Sequence, residues 1–115
     1  MIQRANDMEV EVRENMRGGN GAIEIRHILK QNQLKGKCRL FGKIVIKSGC
    51  SIGMHRHDEE EEAYYILEGE GVVDDNGTKQ PVKAGDVMLT GDGASHSIEN
   101  TGTTDLVVMA VVILY

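Results

Sequence analysis

Turn signals punctuate this chain roughly every 8 to 12 residues, which leaves room for short strands and little else. Ser48-Gly49, Asn76-Gly77, Lys83-Ala84-Gly85-Asp86, Gly91-Asp92-Gly93 and Asn100-Thr101-Gly102 are all turn-forming clusters. Fourteen glycines stand against one proline, scattered as turns require and not clustered as in a low-complexity segment. Between the turns the apolar residues alternate. Ile23 to His27 has period two, and Cys38, Leu40, Ile44 and Ile46 share one parity while Lys37, Arg39, Lys43 and Lys47 take the other. Ser51 to His57, Ala63 to Leu67 and Val87 to Thr90 complete the strand set, and Asn76-Gly77 between two β-like runs is a hairpin signal. The pattern predicts an all-β antiparallel sandwich or barrel with no long amphipathic helix.

Two segments are less regular. Met8, Val10 and Val12 alternate with acidic residues, so the amino-terminal stretch reads as an edge strand or a short frayed helix. Residues 1–22 are expected to form an arm that pairs with the barrel of 23–115 or with a second copy. Leu106 to Leu114 is apolar on both parities, so this strand is expected to be covered on both faces. The outer cover is either the amino-terminal segment or a partner chain, and a homodimer is the more economical expectation.

Composition narrows the function. A chain of 115 residues and 12.6 kDa is one domain. Its net charge of −5, with Lys and Arg dispersed, lacks the basic face of a nucleic-acid binder. The longest apolar run, Leu106 to Tyr115, is far short of a bilayer span. No charged-then-apolar leader is visible, so a cytoplasmic location is the expectation. Cys38 and Cys50 form no C-x-x-C pair and read as reduced packing residues.

The chemistry concentrates in a few side chains. His55 and His57 are two residues apart on a strand, so both rings leave the same face. Glu62 follows an acidic turn at the start of the next strand, from which an antiparallel neighbour would return its carboxylate to the two rings. His96 follows Gly91-Asp92-Gly93 far along the chain. Three imidazoles and a carboxylate form an N/O donor set suited to Fe(II), Mn(II), Ni(II), Co(II), Cu(II) or Zn(II). Four protein ligands on an octahedral ion leave positions open to a small molecule. In the run Asp58-Glu59-Glu60-Glu61, the acids read as a solvated turn. His27 reads as a core or pocket histidine, Arg39 as a surface residue, and Tyr64 as a pocket-facing candidate for acid–base work because it shares parity with Glu62.

The glycine spacing adds a resemblance. Gly49, His55, His57, Glu62 and Gly69, followed by Gly85, Gly93, His96 and Asn100, resemble the two motifs of the cupin superfamily, G-x5-H-x-H-x3,4-E-x6-G and G-x5-P-x-G-x2-H-x3-N. Nine of the ten fixed positions agree over 52 residues, and the departure is Gly91 where the family has proline. The resemblance implies a jelly-roll barrel (a double-stranded β-helix) with His55, His57, Glu62 and His96 as ligands to one divalent transition metal. It also implies a range of activities that includes decarboxylases, dioxygenases, isomerases and lyases, together with non-catalytic binders. The expected function is a metal-dependent enzyme acting on a small carboxylate or carbonyl compound; the alternative is a metal-containing module that binds or senses a small ligand. The layout is similar to small oxalate-decarboxylase-like proteins. No lid glutamate of the two-domain oxalate enzymes can be placed here, so oxalate turnover is not the expectation.

Overall fold

Ten strands pair into two antiparallel sheets in the computed structural model, which describes residues 1–115. They are β1 (Glu9–Glu14), β2 (Ala22–Leu29), β3 (Cys38–Ile46), β4 (Ser51–Arg56), β5 (Glu60–Glu68), β6 (Glu70–Asp75), β7 (Thr78–Lys83), β8 (Val87–Gly91), β9 (Ser95–Glu99) and β10 (Leu106–Leu114). One sheet has the order β1-β2-β3-β10-β5-β8 and the other β4-β9-β6-β7. The sheets face each other as a flattened jelly roll, the all-β class and architecture that the turn spacing and the motifs predict. The only helical pieces are single 3-10 turns at Ala5–Asp7, Met16–Gly18 and Gln31–Gln33.

The alternating residues build the core. Ile25, Ile44, Val108 and Ile66 lie opposite one another across four adjacent strands, forming a row of β-branched side chains that are all buried. Ile52, Val73 and Ile98 meet them from the facing sheet. Each such burial contributes about 1.5–3 kcal/mol. Both cysteines are free and half-buried. The Asn76-Gly77 hairpin joins β6 to β7 with both residues at positive φ, 49° and 104°, the twist-matched two-residue turn.

The amino-terminal segment forms an edge strand. β1 pairs with β2 over six residue pairs, from Glu9 opposite His27 to Glu14 opposite Ala22. It therefore lies at the rim of the larger sheet and does not cover β10.

β10 is the centre of that sheet, between β3 and β5. Its inward residues Leu106, Val108, Ala110 and Val112 are buried, as expected. On the outer side the chain by itself covers the strand only in part: Val107 is buried, Met109 and Val111 are half-buried, and Ile113 is exposed. Around them the outer face carries Tyr65, Leu67, Val87 and Leu89, all exposed. The chain folds no segment of its own over this apolar face.

Candidate metal centre

β4 and β9 pair with His55 directly opposite His96. His57 lies one residue beyond β4, and its backbone holds the Gly91–Ala94 turn. Its N–H donates to the Ala94 carbonyl at 3.0 Å, and its carbonyl accepts from Gly93 at 2.9 Å. With Ala94 also donating to Gly91 at 3.1 Å, the turn is closed without the proline of the motif. All three imidazoles thus come from the smaller sheet.

Glu62 comes from the other one. The expected return on a neighbouring antiparallel strand is corrected here, because β5 pairs with β10 and β8, and the strand beside β4 is β9. The chain crosses between sheets at Asp58-Glu59, where Glu59 takes φ 56°. The carboxylate therefore meets the rings across the sandwich.

The four donors converge. His96 Nε2 is 3.0 Å from both His57 Nε2 and His55 Nε2. Glu62 Oε1 is 3.0 Å from His57 Nε2 and His96 Nε2, and 3.8 Å from His55 Nε2. Glu62 Oε1 is nevertheless a buried oxygen with no hydrogen-bond partner, a costly state unless a cation satisfies it. Two donors at right angles around an ion, each about 2.0–2.1 Å from it, stand roughly 3 Å apart. The donor set and its spacing fit a transition-metal ion.

Neighbouring groups aim the rings. His55 Nδ1 lies 2.7 Å from the Gly53 carbonyl; a carbonyl only accepts, so Nδ1 carries the proton and Nε2 offers its lone pair inward. His57 Nδ1 is 2.5 Å from Glu60 Oε2. Glu60 in turn accepts from Arg39 Nε at 3.1 Å and Nη2 at 2.7 Å. The reading of Glu60 as part of a solvated turn is corrected: it belongs to β5 and orients the His57 ring. Its shared parity with Glu62 and Tyr64 was the signal that would have found it. Arg39, expected at the surface, has a side chain 41% exposed, yet it holds Glu60 and borders the cavity beside the donors.

The electrostatics follow from burial and pairing. Burial raises the Glu62 carboxyl, but the close approach of the His55, His57 and His96 rings outweighs it and holds the group well below the usual carboxylate range. His57 is raised, first by Glu62 and then, against the cost of burial, by Glu60. Burial lowers His96. Tyr64 is buried, and its ring stacks on His96 with centroids 4.8 Å apart. Burial, and then the Glu62 charge, push its phenol well above its ordinary value, so at neutral pH it is a proton donor and not a base.

A cavity of about 130 Å³ opens beside the donors. Its walls include Ile25, Leu40, Ile44 and Met16, with Arg13, Arg17, Arg39 and His27 as the cationic or titratable rim. His27 is a pocket residue, its Nε2 2.6 Å from Glu11 Oε1. Arg13 closes the alternating stretch of β1 and Arg17 follows it; only tertiary packing brings them to the cavity, and local alternation does not mark that.

Comparison with known proteins agrees with this fold. The family model described as the cupin domain matches residues 42–112. An oxalate-binding protein of Thermotoga maritima is 50% identical over 114 residues, covering 99% of this chain and 94% of that protein. A crystal structure of a predicted oxalate decarboxylase, also from Thermotoga maritima, superposes with a TM-score of 0.95 at 50% identity, covering 100% of both chains. The polyketide cyclase of Streptomyces resistomycificus has a TM-score of 0.74 at 18% identity, over 99% of this chain and 80% of that one, a likeness of fold alone.

Proposed function

This chain belongs to the cupin family, and from that premise we propose that it holds one divalent transition-metal ion on His55, His57, Glu62 and His96 and binds a small carboxylate there. Oxalate is the first ligand to test, because a relative of 50% identity bears the name oxalate-binding protein. The observation that carries the reading is the buried, unpartnered Glu62 Oε1 within 3.0 Å of two imidazole nitrogens, beside a cavity rimmed by arginines. A bound ion would supply Lewis acidity to an oxygen ligand in the open positions. The chain's own residues do the rest: Gly53 and Glu60 orient the imidazoles, the guanidinium groups attract an anion, and Tyr64 holds a proton at the wall.

Turnover of a small carboxylate or carbonyl compound would make this a metal-dependent enzyme of the decarboxylase, dioxygenase, isomerase or lyase kind. One observation favours the second reading, a non-catalytic binding or sensing module. Beyond Glu62, which the ion would occupy, the nearby carboxylates are engaged: Glu60 with Arg39 and His57, Glu11 with Arg13 and His27. No free carboxylate base is left for proton abstraction.

The experiment is elemental analysis of protein purified without added metal or chelator, for wild type, His55→Ala and His96→Ala, followed by oxalate binding and turnover assays. The expected result is one dominant transition metal near one per chain, lost in both variants, with metal-dependent oxalate binding. Folded wild type that neither carries metal nor takes it up on reconstitution would overturn the metal reading. Binding without turnover would decide for the second reading.

The proposal also includes a homodimer formed through the apolar outer face of β10 and its neighbours, since the chain itself leaves that face open. No helix is long and apolar enough to cross a membrane. A cytoplasmic location is proposed on the two free thiols, Cys38 and Cys50.

A further inference from the structure

Three arginines line the cavity, and they are not equivalent. Arg13 is engaged by both oxygens of Glu11 at 3.1 Å. Arg39 is engaged by both oxygens of Glu60 at 3.1 and 2.7 Å. Arg17 is exposed and has no carboxylate partner, so among these three it is the one uncompensated guanidinium. We infer that Arg17 receives the second carboxylate of a ligand whose first carboxylate lies at the metal centre, and so selects dicarboxylates over monocarboxylates. The inference rests on the proposed carboxylate-binding function and names the residue that sets its selectivity.

The fold spends conformational strain to hold Arg17 where it is. Arg17 is in the left-handed region at φ 55° and ψ 31°, and Asn15 two residues earlier is at φ 50° and ψ 41°. Non-glycine residues are held there only where the surroundings over-determine them, as at ligand clamps. The surroundings here do so. Gly18 donates to the Asn15 carbonyl at 3.0 Å and Gly19 to Met16 at 2.9 Å. Asn15 Nδ2 donates to the Gly19 carbonyl at 3.2 Å, and Met16 packs against the core.

The turn is also docked, backbone against backbone, on the strand that carries a ligand. A Cβ at Gly53 would stand 2.0 Å from the Arg17 carbonyl oxygen, so only glycine admits the turn at this distance. The carbonyl of the same Gly53 orients His55. One residue thus fixes both the metal side and the arginine side of the cavity. The planar guanidinium fork matches a carboxylate with two parallel hydrogen bonds, a geometry lysine does not reproduce. A monocarboxylate at the metal leaves that fork unpaired; a dicarboxylate satisfies both ends.

The test uses protein loaded with Co(II) and desalted, titrated with oxalate and with formate, and followed by the visible absorption of the Co(II) site and by calorimetry. Wild type, Arg17→Gln and Arg17→Lys are compared, with Co(II) content and thermal midpoint measured for each. In Arg17→Gln, oxalate is expected to bind about ten- to a hundredfold more weakly, the worth of a charge-assisted contact. Formate affinity and Co(II) content should stay at wild-type values, and Arg17→Lys should fall between. Oxalate binding unchanged in Arg17→Gln, or oxalate and formate weakened equally, would overturn the inference while leaving the carboxylate site standing. Wild type that takes up Co(II) and binds neither anion would overturn the carboxylate-binding reading itself, and the selectivity with it.

Discussion

The ring of His57 is clamped between Glu62 on one nitrogen and Glu60 on the other, and that second contact has a measurable consequence. A carboxylate behind a ligating imidazole fixes its tautomer and raises its basicity, and its removal costs about 10–100-fold in metal affinity. Glu60→Gln is therefore expected to weaken metal binding by about that factor in competition with a chelator, while Glu61→Gln, which lies on the opposite parity of β5, leaves affinity unchanged. The four candidate ligands were legible because period two and the glycine spacing state which residues share a face. Glu60 was hidden by its acidic neighbours: with five acids in a row from Asp58 to Glu62, composition suggests solvent, and only the strand start at Glu60 tells the inward acids from the outward ones. Arg17 was illegible for another reason. Its place at the cavity depends on the close approach of its backbone to Gly53, a contact between segments that no local pattern encodes.

Among the elements, β1 is the one whose attachment depends on charge. Its burial pattern is almost wholly exposed, so little apolar area holds it to β2. Glu11, bonded to Arg13 on the same strand and to His27 on β2, supplies a cross-strand tie. Arg13, and then His27, lower the Glu11 carboxyl below its ordinary value of 4.5. A carboxyl lowered in the folded state adds stability that is present above its unfolded pKa and lost as pH falls through the folded one. Wild type should thus have a higher thermal midpoint than Glu11→Gln near neutral pH, and the gap should close as the pH is taken from about 7 to about 3. A constant gap over that range would assign the effect to packing instead of charge. At this scale the strands and the Asn76-Gly77 hairpin were legible from alternation. The crossing of the chain at Asp58-Glu59 was not, because parity tells which residues share a face but not which sheet a strand joins.

For the whole molecule, the outer face of β10 and its neighbours sets the association state. Val87 is 66% and Leu89 64% exposed, a pair of large apolar residues of the kind that monomeric surfaces rarely gather into one patch. Sedimentation is expected to report a dimer, and Leu89→Asp a folded monomer with its metal content intact; a wild-type monomer would remove the dimer proposal. The doubly apolar pattern of Leu106 to Leu114 made the need for a cover legible, but not that a single chain leaves the face open.

The position of β10 also governs the order in which this fold is completed as it is made. β10 joins β3 to β5 in register from Leu106 opposite Ile46 to Leu114 opposite Glu60, yet it is synthesised after both of them. Without β10, β1-β2-β3 and β5-β8 share no strand pairing, and each keeps an unpaired rim facing the gap. Such rims are templates for pairing with another chain. β10 is therefore the keystone of the larger sheet, and any delay in its pairing extends the time during which those rims can pair with another chain.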